Sequence, residues 1–184
     1  MGLPRALEAH AANLLGEAEF QYRRAYQQGQ VNEVFYQNFG ALLRKQGKSE
    51  EALKFFEEGL QRYPRHPGIQ RNYANQLREI NSSYAIELYI SAIRSALAQE
   101  DGAITAAKCL DDLIDLLRKK ELFSWAFALI KDALSHQRPS ALMLMNLQLL
   151  LDRADVAIEV QNLVISATTQ YLHGASLLEA VTLD

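Results

Sequence analysis

The chain has 184 residues, 49% of them apolar and 22% charged, with a formal charge of −3 and a pI near 5.8. That length can bury a core in one domain or one short array, and the mild acidity provides no whole-protein attraction to nucleic acid or to an anionic membrane. The single cysteine, Cys109, excludes an internal disulfide and a cysteine zinc site, and fits a reducing, cytoplasmic setting.

From the N-terminus, "MGLPRALEAHAANLL" lacks the basic start, continuous apolar stretch and cleavage site of a signal peptide. Residues 1–32 read as a partial first helix followed by a second that carries Ala18-x3-Tyr22. Glu33 to Lys45 then places Tyr36, Phe39, Leu42 and Leu43 at helical spacing. "KQGKS" breaks the pattern: Gly47 supplies a left-handed stop after Arg44 and Lys45, and Ser49 is placed to cap the next start. Glu50 to Tyr63 forms the next helix, with Ala52, Leu53, Phe56 and Leu60 on one face and Pro64 and Pro67 beyond its end. Gly40 and Gly59 sit inside these helices, where a glycine costs about 1 kcal/mol against alanine. A close approach between helices explains them: Gly40 and Ala52 where the two helices of a hairpin cross, Gly59 where the next hairpin arrives.

Tyr36-x2-Phe39-Gly40-x2-Leu43, Ala52-x3-Phe56 and Pro64 together resemble the tetratricopeptide repeat. The small residue opening each second helix recurs as Ala18, Ala52, Ala85 and Ala126, at intervals of 34, 33 and 41 residues. Ala85-x3-Tyr89 repeats the aromatic signature and Ala126-x3-Ile130 loosens it. The first helices recur as Tyr73-Ala74-x2-Leu77, Leu113-Ile114-x2-Leu117 and Leu144-x2-Leu147-x3-Leu151. The resemblance implies an all-α, right-handed solenoid of about four helix-turn-helix repeats forming a single domain over residues 1–184. The repeats fall at about 1–32 (partial), 33–66, 67–100, 107–140 and 141–173, with 174–184 a cap or linker. The longest step is read as an extended loop around "QEDGAIT". Ile114 and Gln148 replace the usual small residue, so these repeats are expected to pack at altered angles. "VAIEVQNLVI" is β-branched but read as helix in this context. "ALMLMNLQLLL" is interrupted by Asn146 and Gln148 and falls short of the roughly 20 residues of a membrane helix.

Enzymatic chemistry is not signalled. The four histidines His10, His66, His136 and His173 show no metal-ligand spacing, and "GKSEE" has only the tail of a phosphate loop. A lone Cys109 on an amphipathic helix reads as a small buried hydrophobe. "DDLID", Asp111 to Asp115, is either a solvated face or an acidic lining for a groove. The expectation is therefore no catalytic residues, no metal and no cofactor.

The resemblance further implies a concave surface lined by the first helix of each repeat. Carrying the register over gives Val34, Gln37, Asn38, Ala41 and Arg44, then Gly68, Arg71, Asn72, Asn75 and Arg78. It continues with Lys108, Asp111, Asp112, Asp115 and Arg118, and ends with Leu142, Met145, Asn146, Leu149 and Asp152. Asn38, Asn72 and Asn146 share one register position. Such a row can hold an extended peptide by its backbone, resembling the asparagine ladder of O-GlcNAc transferases, or can tie adjacent helices together. The surface grades from basic (Arg71, Arg78) through acidic (Asp111, Asp112, Asp115) to apolar (Met145, Leu149), and the apolar run serves equally as core. A chaperone-type carboxylate clamp begins correctly at Arg71 and Asn75 but is broken at Asp112, Leu142 and Asn146.

The function expected is a non-catalytic interaction scaffold for an extended peptide or protein segment, with no nucleic-acid or membrane partner. Residues 6–26 also resemble the opening repeat of bacterial arrays that precede a glycosyltransferase or methyltransferase domain. That implies, as an alternative, the substrate-recruiting or dimerising arm of a larger enzyme. A peptide-responsive regulator is the third reading. The apolar last repeat leaves room for a homodimer or a further domain.

Overall fold

The computed structural model describes residues 2–136, with side chains to residue 131. Every regular element in this range is a helix: α1 (Gly2–Ala11), α2 (Leu15–Gln27), α3 (Glu33–Lys45), α4 (Ser49–Arg62), α5 (Pro67–Leu77), α6 (Ser82–Leu97), α7 (Ala103–Lys119) and α8 (Phe123–His136). The chain forms two compact units, Met1–Leu110 and Asp111–Asp184, which divide within α7. In the first unit α1 packs on α2, α3 on α4 and α5 on α6, while α3 and α4 both contact α5. The expectations for residues 141–184, Met145, Asn146, Leu149, Gln148 and the C-terminal contact among them, lie outside the described residues.

Antiparallel pairing follows from the turns. Gly47 takes φ +77, and Asn13 (φ 58) and Glu121 (φ 59) adopt the same left-handed conformation after α1 and α7. Each is followed by a residue whose N–H donates back into the helix: Leu14 to Ala9, Lys48 to Leu43 and Leu122 to Leu117, all at 2.9 Å. This is the Schellman closure, which satisfies carbonyls a helix end leaves open. The α5–α6 turn is made without a left-handed residue; Asn81 instead caps α6 by accepting from the Tyr84 N–H at 3.1 Å.

Two local expectations change. Ser49 is the first residue of α4 and not its cap; Lys48 occupies the cap position with no side-chain hydrogen bond. The long spacing before α7 is not an extended loop, since only Ala98 to Gly102 separate α6 from α7. The extra residues lengthen the helices themselves, α6 to 16 residues and α7 to 17.

The two units differ in what they bury, and aromatic rings are prominent in the first. Tyr22, Phe35, Tyr36, Phe39 and Phe56 are wholly buried. Tyr22 stacks on Phe39 with centroids 5.2 Å apart, and Phe39 tilts against Phe55 at 4.6 Å. In the second unit Leu113, Ile114, Leu116, Ala126 and Ile130 are buried. Gly40 is needed because a Cβ there would lie 2.7 Å from Phe56 Cδ1, closer than real Cβ contacts come. Gly59 is closest to Tyr36 of its own hairpin, where a Cβ would lie 2.8 Å from Tyr36 Cβ; Ile69 of α5, at 3.4 Å, is in ordinary contact. Gly59 therefore serves its own hairpin first and the next one second, the reverse of the sequence expectation.

Polar contacts join the first two hairpins at their surface. Arg23 binds Glu51 with both guanidinium nitrogens, at 2.6 and 2.8 Å, and also reaches Glu19. Burial opposes the charge on Glu19, but hydrogen bonds from Lys48, Arg23 and Gln46 outweigh it and hold the carboxyl at about 2. Exposed ion pairs are worth roughly 0–1 kcal/mol each, so packing dominates.

Gly40→Ala should lower the unfolding free energy by about 1–3 kcal/mol, because the fully buried Phe56 ring has little freedom to move aside. Glu121→Gly should raise it by roughly 0.5–1 kcal/mol by relieving a left-handed non-glycine residue. Urea denaturation followed by circular dichroism reads both. An unchanged midpoint for Gly40→Ala would contradict the close approach at Phe56, and one for Glu121→Gly the strain in the α7–α8 turn.

Candidate functional site

Helix α5 is held from four directions by its own polar side chains. His66 caps it, Nδ1 accepting from the Ile69 N–H at 3.3 Å, and Pro67 fills the first helical position, where no backbone N–H is needed. Gln70 Nε2 donates to the Pro64 carbonyl and to Ser91 Oγ, both at 2.8 Å. Asn72 Nδ2 donates to the Gln37 carbonyl at 3.1 Å, tying α5 to α3. Tyr73 donates to Glu57 on α4, and Asn75 accepts from Tyr89 on α6, each at 2.8 Å. With α5 fixed in this way, Arg71 and the bare backbone at Gly68 face a cleft of about 300 Å³.

This cleft lies wholly within the first unit. Its walls are Gln37 from α3, Gly68, Arg71 and Asn72 from α5, and Thr105 and Lys108 from α7, with His66, Pro67 and Gln99 from the connecting turns. A shallower recess of about 470 Å³ adjoins it through His66 and Gln99, and is lined also by Glu33, Tyr63, Pro64 and Arg65. Arg71 and Lys108 bring two cations to the cleft, and the amides and the Thr105 hydroxyl surround them with donors and acceptors. At Gly68 a side chain would collide with the Gln37 amide, so the glycine makes room for that group.

Of the residues singled out by the register, Gln37, Gly68, Arg71, Asn72 and Lys108 are brought together in this cleft. Asn38 donates to the Val34 carbonyl of its own helix at 2.9 Å. Arg44 is exposed near the end of α3, and Arg78 is half-buried at the end of α5. Asn75 is engaged inside its hairpin. Asp111, Asp112 and Asp115 are half-buried and belong to the second unit, where Asp115 pairs with Arg118 and Lys119, both at 2.9 Å. Cys109 is buried. Among the described residues no three His, Cys, Asp or Glu side chains gather as a metal-binding group, and no helix is long and apolar enough to cross a membrane.

Register reasoning overlooked the turn residues. His66 and Gln99 enter the cleft from connections that a helix-face pattern does not describe, although His-Pro before a helix is a readable cap signal. A second groove, of about 860 Å³, was also missed. Tyr26 of α2 and Gly47 to Glu51, Lys54, Phe55 and Glu58 of the α3–α4 turn and α4 line it. Its charges are largely answered internally: Glu58 accepts from the Tyr26 and Tyr36 hydroxyls and pairs with Arg62, while Glu51 pairs with Arg23 and Lys48 with Glu19.

No protein-family model matches the sequence, and no curated protein is significantly similar to it. Solved structures do match. PcrH in complex with the chaperone binding region of PopD aligns at TM-score 0.59 and 18% identity, over 65% of this chain and 90% of its own. A tetratricopeptide repeat protein from Parabacteroides merdae aligns at TM-score 0.69 and 17% identity, over 98% of this chain and 75% of its own. The human IFIT1 dimer with PPP-AAAA aligns at TM-score 0.52 and 15% identity, over 94% of this chain and 40% of its own. At these identities the likeness establishes the fold: the chain is an all-α helix-turn-helix solenoid of the tetratricopeptide type.

Burial holds His66 below the ordinary histidine pKa, and Glu33 only partly opposes this; burial and then Lys45 do the same to His10. A depressed histidine contributes stability that is full above about pH 6.5 and is lost as pH falls towards the folded value, because the unfolded chain protonates first. Glu19, at about 2, stays ionised through that window. The melting temperature should therefore decline between pH 7 and pH 5. His66→Asn, which keeps a capping acceptor without titrating, should flatten the decline; equal slopes for the two proteins would contradict the role of the cap.

Proposed function

We propose that this protein is a non-catalytic interaction scaffold that holds an extended protein segment against the first helices of its repeats. The observation that carries this reading is the cleft in which α3, α5 and α7 present Gln37, Arg71, Asn72 and Lys108 to one space. Each of these stands at a register position that the repeat directs towards its inner face, and they come from three successive repeats. A main chain offers alternating donors and acceptors, which amides and a hydroxyl can meet, while the two cations favour a segment with acidic side chains. Asn38, Arg44, Asn75 and Arg78 extend the proposed surface along α3 and α5. Taken by itself, the second unit is proposed to contribute Asp111, Asp112 and Asp115 to partner binding.

PcrH, whose structure holds the chaperone binding region of PopD, supports the reading as a protein of the same fold with a protein segment bound. The cations and amides of the cleft are suited to holding a segment.

Screening arrayed 15-residue peptides against the purified protein should select a set enriched in Asp and Glu. Binding of that set should fall at least tenfold in Arg71→Ala and in Lys108→Ala and stay level in Arg24→Ala, which alters an exposed residue outside the cleft. If no peptide is retained, or retention is indifferent to Arg71 and Lys108, the cleft is not the binding surface.

A further inference from the structure

Helix α6 carries a feature that its repeat does not require. One face, made of Ala85, Leu88, Tyr89, Ala92 and Ala96, is buried. One residue further round, Ile86, Ile90, Ile93 and Leu97 succeed one another at intervals of four, three and four, the spacing of a coiled-coil seam. At 3.6 residues per turn these four side chains fall within a stripe roughly 60° wide. Ile86 and Ile93 are half-buried, while Ile90 is 37% and Leu97 64% exposed. The other outer helices have no such stripe. The equivalent residues are Glu19, Arg23, Tyr26 and Gln30 in the first hairpin, and Leu53, Glu57, Leu60 and Pro64 in the second. The two outermost positions are thus polar or proline elsewhere and apolar only in α6.

The stripe is bordered by charges that complement each other under a two-fold rotation. Glu87 and Arg94 are exposed and lie seven residues apart on its solvent side, and neither makes an ion pair with another described residue. If a second α6 lies antiparallel, with the axis between Ser91 and Ala92, Ile86 faces Leu97 of the second copy and Ile90 faces its Ile93. Glu87 then meets Arg94 of the second copy within about 3 Å along the axis, and Arg94 meets its Glu87. The arrangement is isologous, so one patch satisfies itself.

We propose that two copies of this chain associate antiparallel through α6, with Ile86, Ile90, Ile93 and Leu97 as the seam and Glu87–Arg94 pairs setting the direction. The seam spans about three helical turns, so the interface falls at the small end of specific contacts and the association is weak and concentration-dependent. It is independent of the cleft and does not rest on the peptide-binding reading.

Sedimentation of the full chain across roughly 5 to 500 µM, a range suited to a small interface, should show the weight-average mass rising from 20.8 kDa towards twice that value. Ile90→Lys, at an exposed position, should weaken association at least tenfold with the helical spectrum unchanged. Glu87→Arg and Arg94→Glu should each weaken it as well, because each sets like charges opposite one another. An equimolar mixture of those two variants should regain it, since each copy then meets opposite charge on the other. A mass that stays at one chain throughout overturns the proposal. So does association that Ile90→Lys leaves intact, or a mixture of the two charge variants that fails to recover.

Discussion

The first unit is organised around the contact between Gly40 and Phe56. A buried ring occupies the volume where a side chain on α3 would be, and that lets α3 and α4 come close enough for the surrounding aromatics to interlock. Tyr22, Phe35, Phe39 and Phe55 are each within ring contact of at least two others, so a displacement of α4 would be felt in α2 as well. The same two register positions are filled by Ala74 and Tyr89 in the third hairpin and by Ile114 and Ile130 in the next. As the inner residue grows from glycine to alanine to isoleucine, the outer one changes from an aromatic ring to an aliphatic chain, and every one of these residues is buried. Only opposite isoleucine does the outer residue give up its ring.

The cleft inherits its geometry from this packing through α5. The bonds made by Gln70, Asn72, Tyr73 and Asn75 fix the helix in rotation as well as in position. Apolar contacts alone resist rotation weakly, since neighbouring apolar positions on a helix can substitute for one another. Directional bonds to α3, α4 and α6 remove that freedom. Arg71 and Asn72 line the cleft from a helix held in this way.

The helix pattern and the reason for its glycines could be read from the chain because both are local or depend on side-chain size at fixed spacing. Glu33 and Lys45 do bound α3, and Gly47 does take the left-handed turn. Three kinds of information were not carried in that way. The cap of α4 moved by one residue because Lys48 tolerates the position, although serine is the better capping residue. The supposed loop around Gln99 is short because "AIT" joins α7 in spite of its two β-branched residues. The asparagines were the hardest to assign: Asn38 turns back on its own helix, Asn72 crosses to α3 and Asn75 receives a tyrosine hydroxyl. One residue type at related positions makes three different bonds, and only the arrangement of neighbouring helices distinguishes them.

The facing pair inside each hairpin also bears on how such a chain can be recombined. A genetic crossover in the turn between hairpins, near Gln30 or Pro64, transfers both members of a pair together and leaves each ring with its own gap. A crossover near Gly47 separates them, joining for instance a glycine-bearing first helix to a second helix whose outer residue is aliphatic, or an isoleucine-bearing one to Phe56. The first join leaves a void and the second a collision, and either is costly in a close-packed core. The hairpin, and not the single helix, is then the smallest cassette that duplication or shuffling can move intact, and chimaeras cut at the hairpin borders are the ones that should inherit a working core.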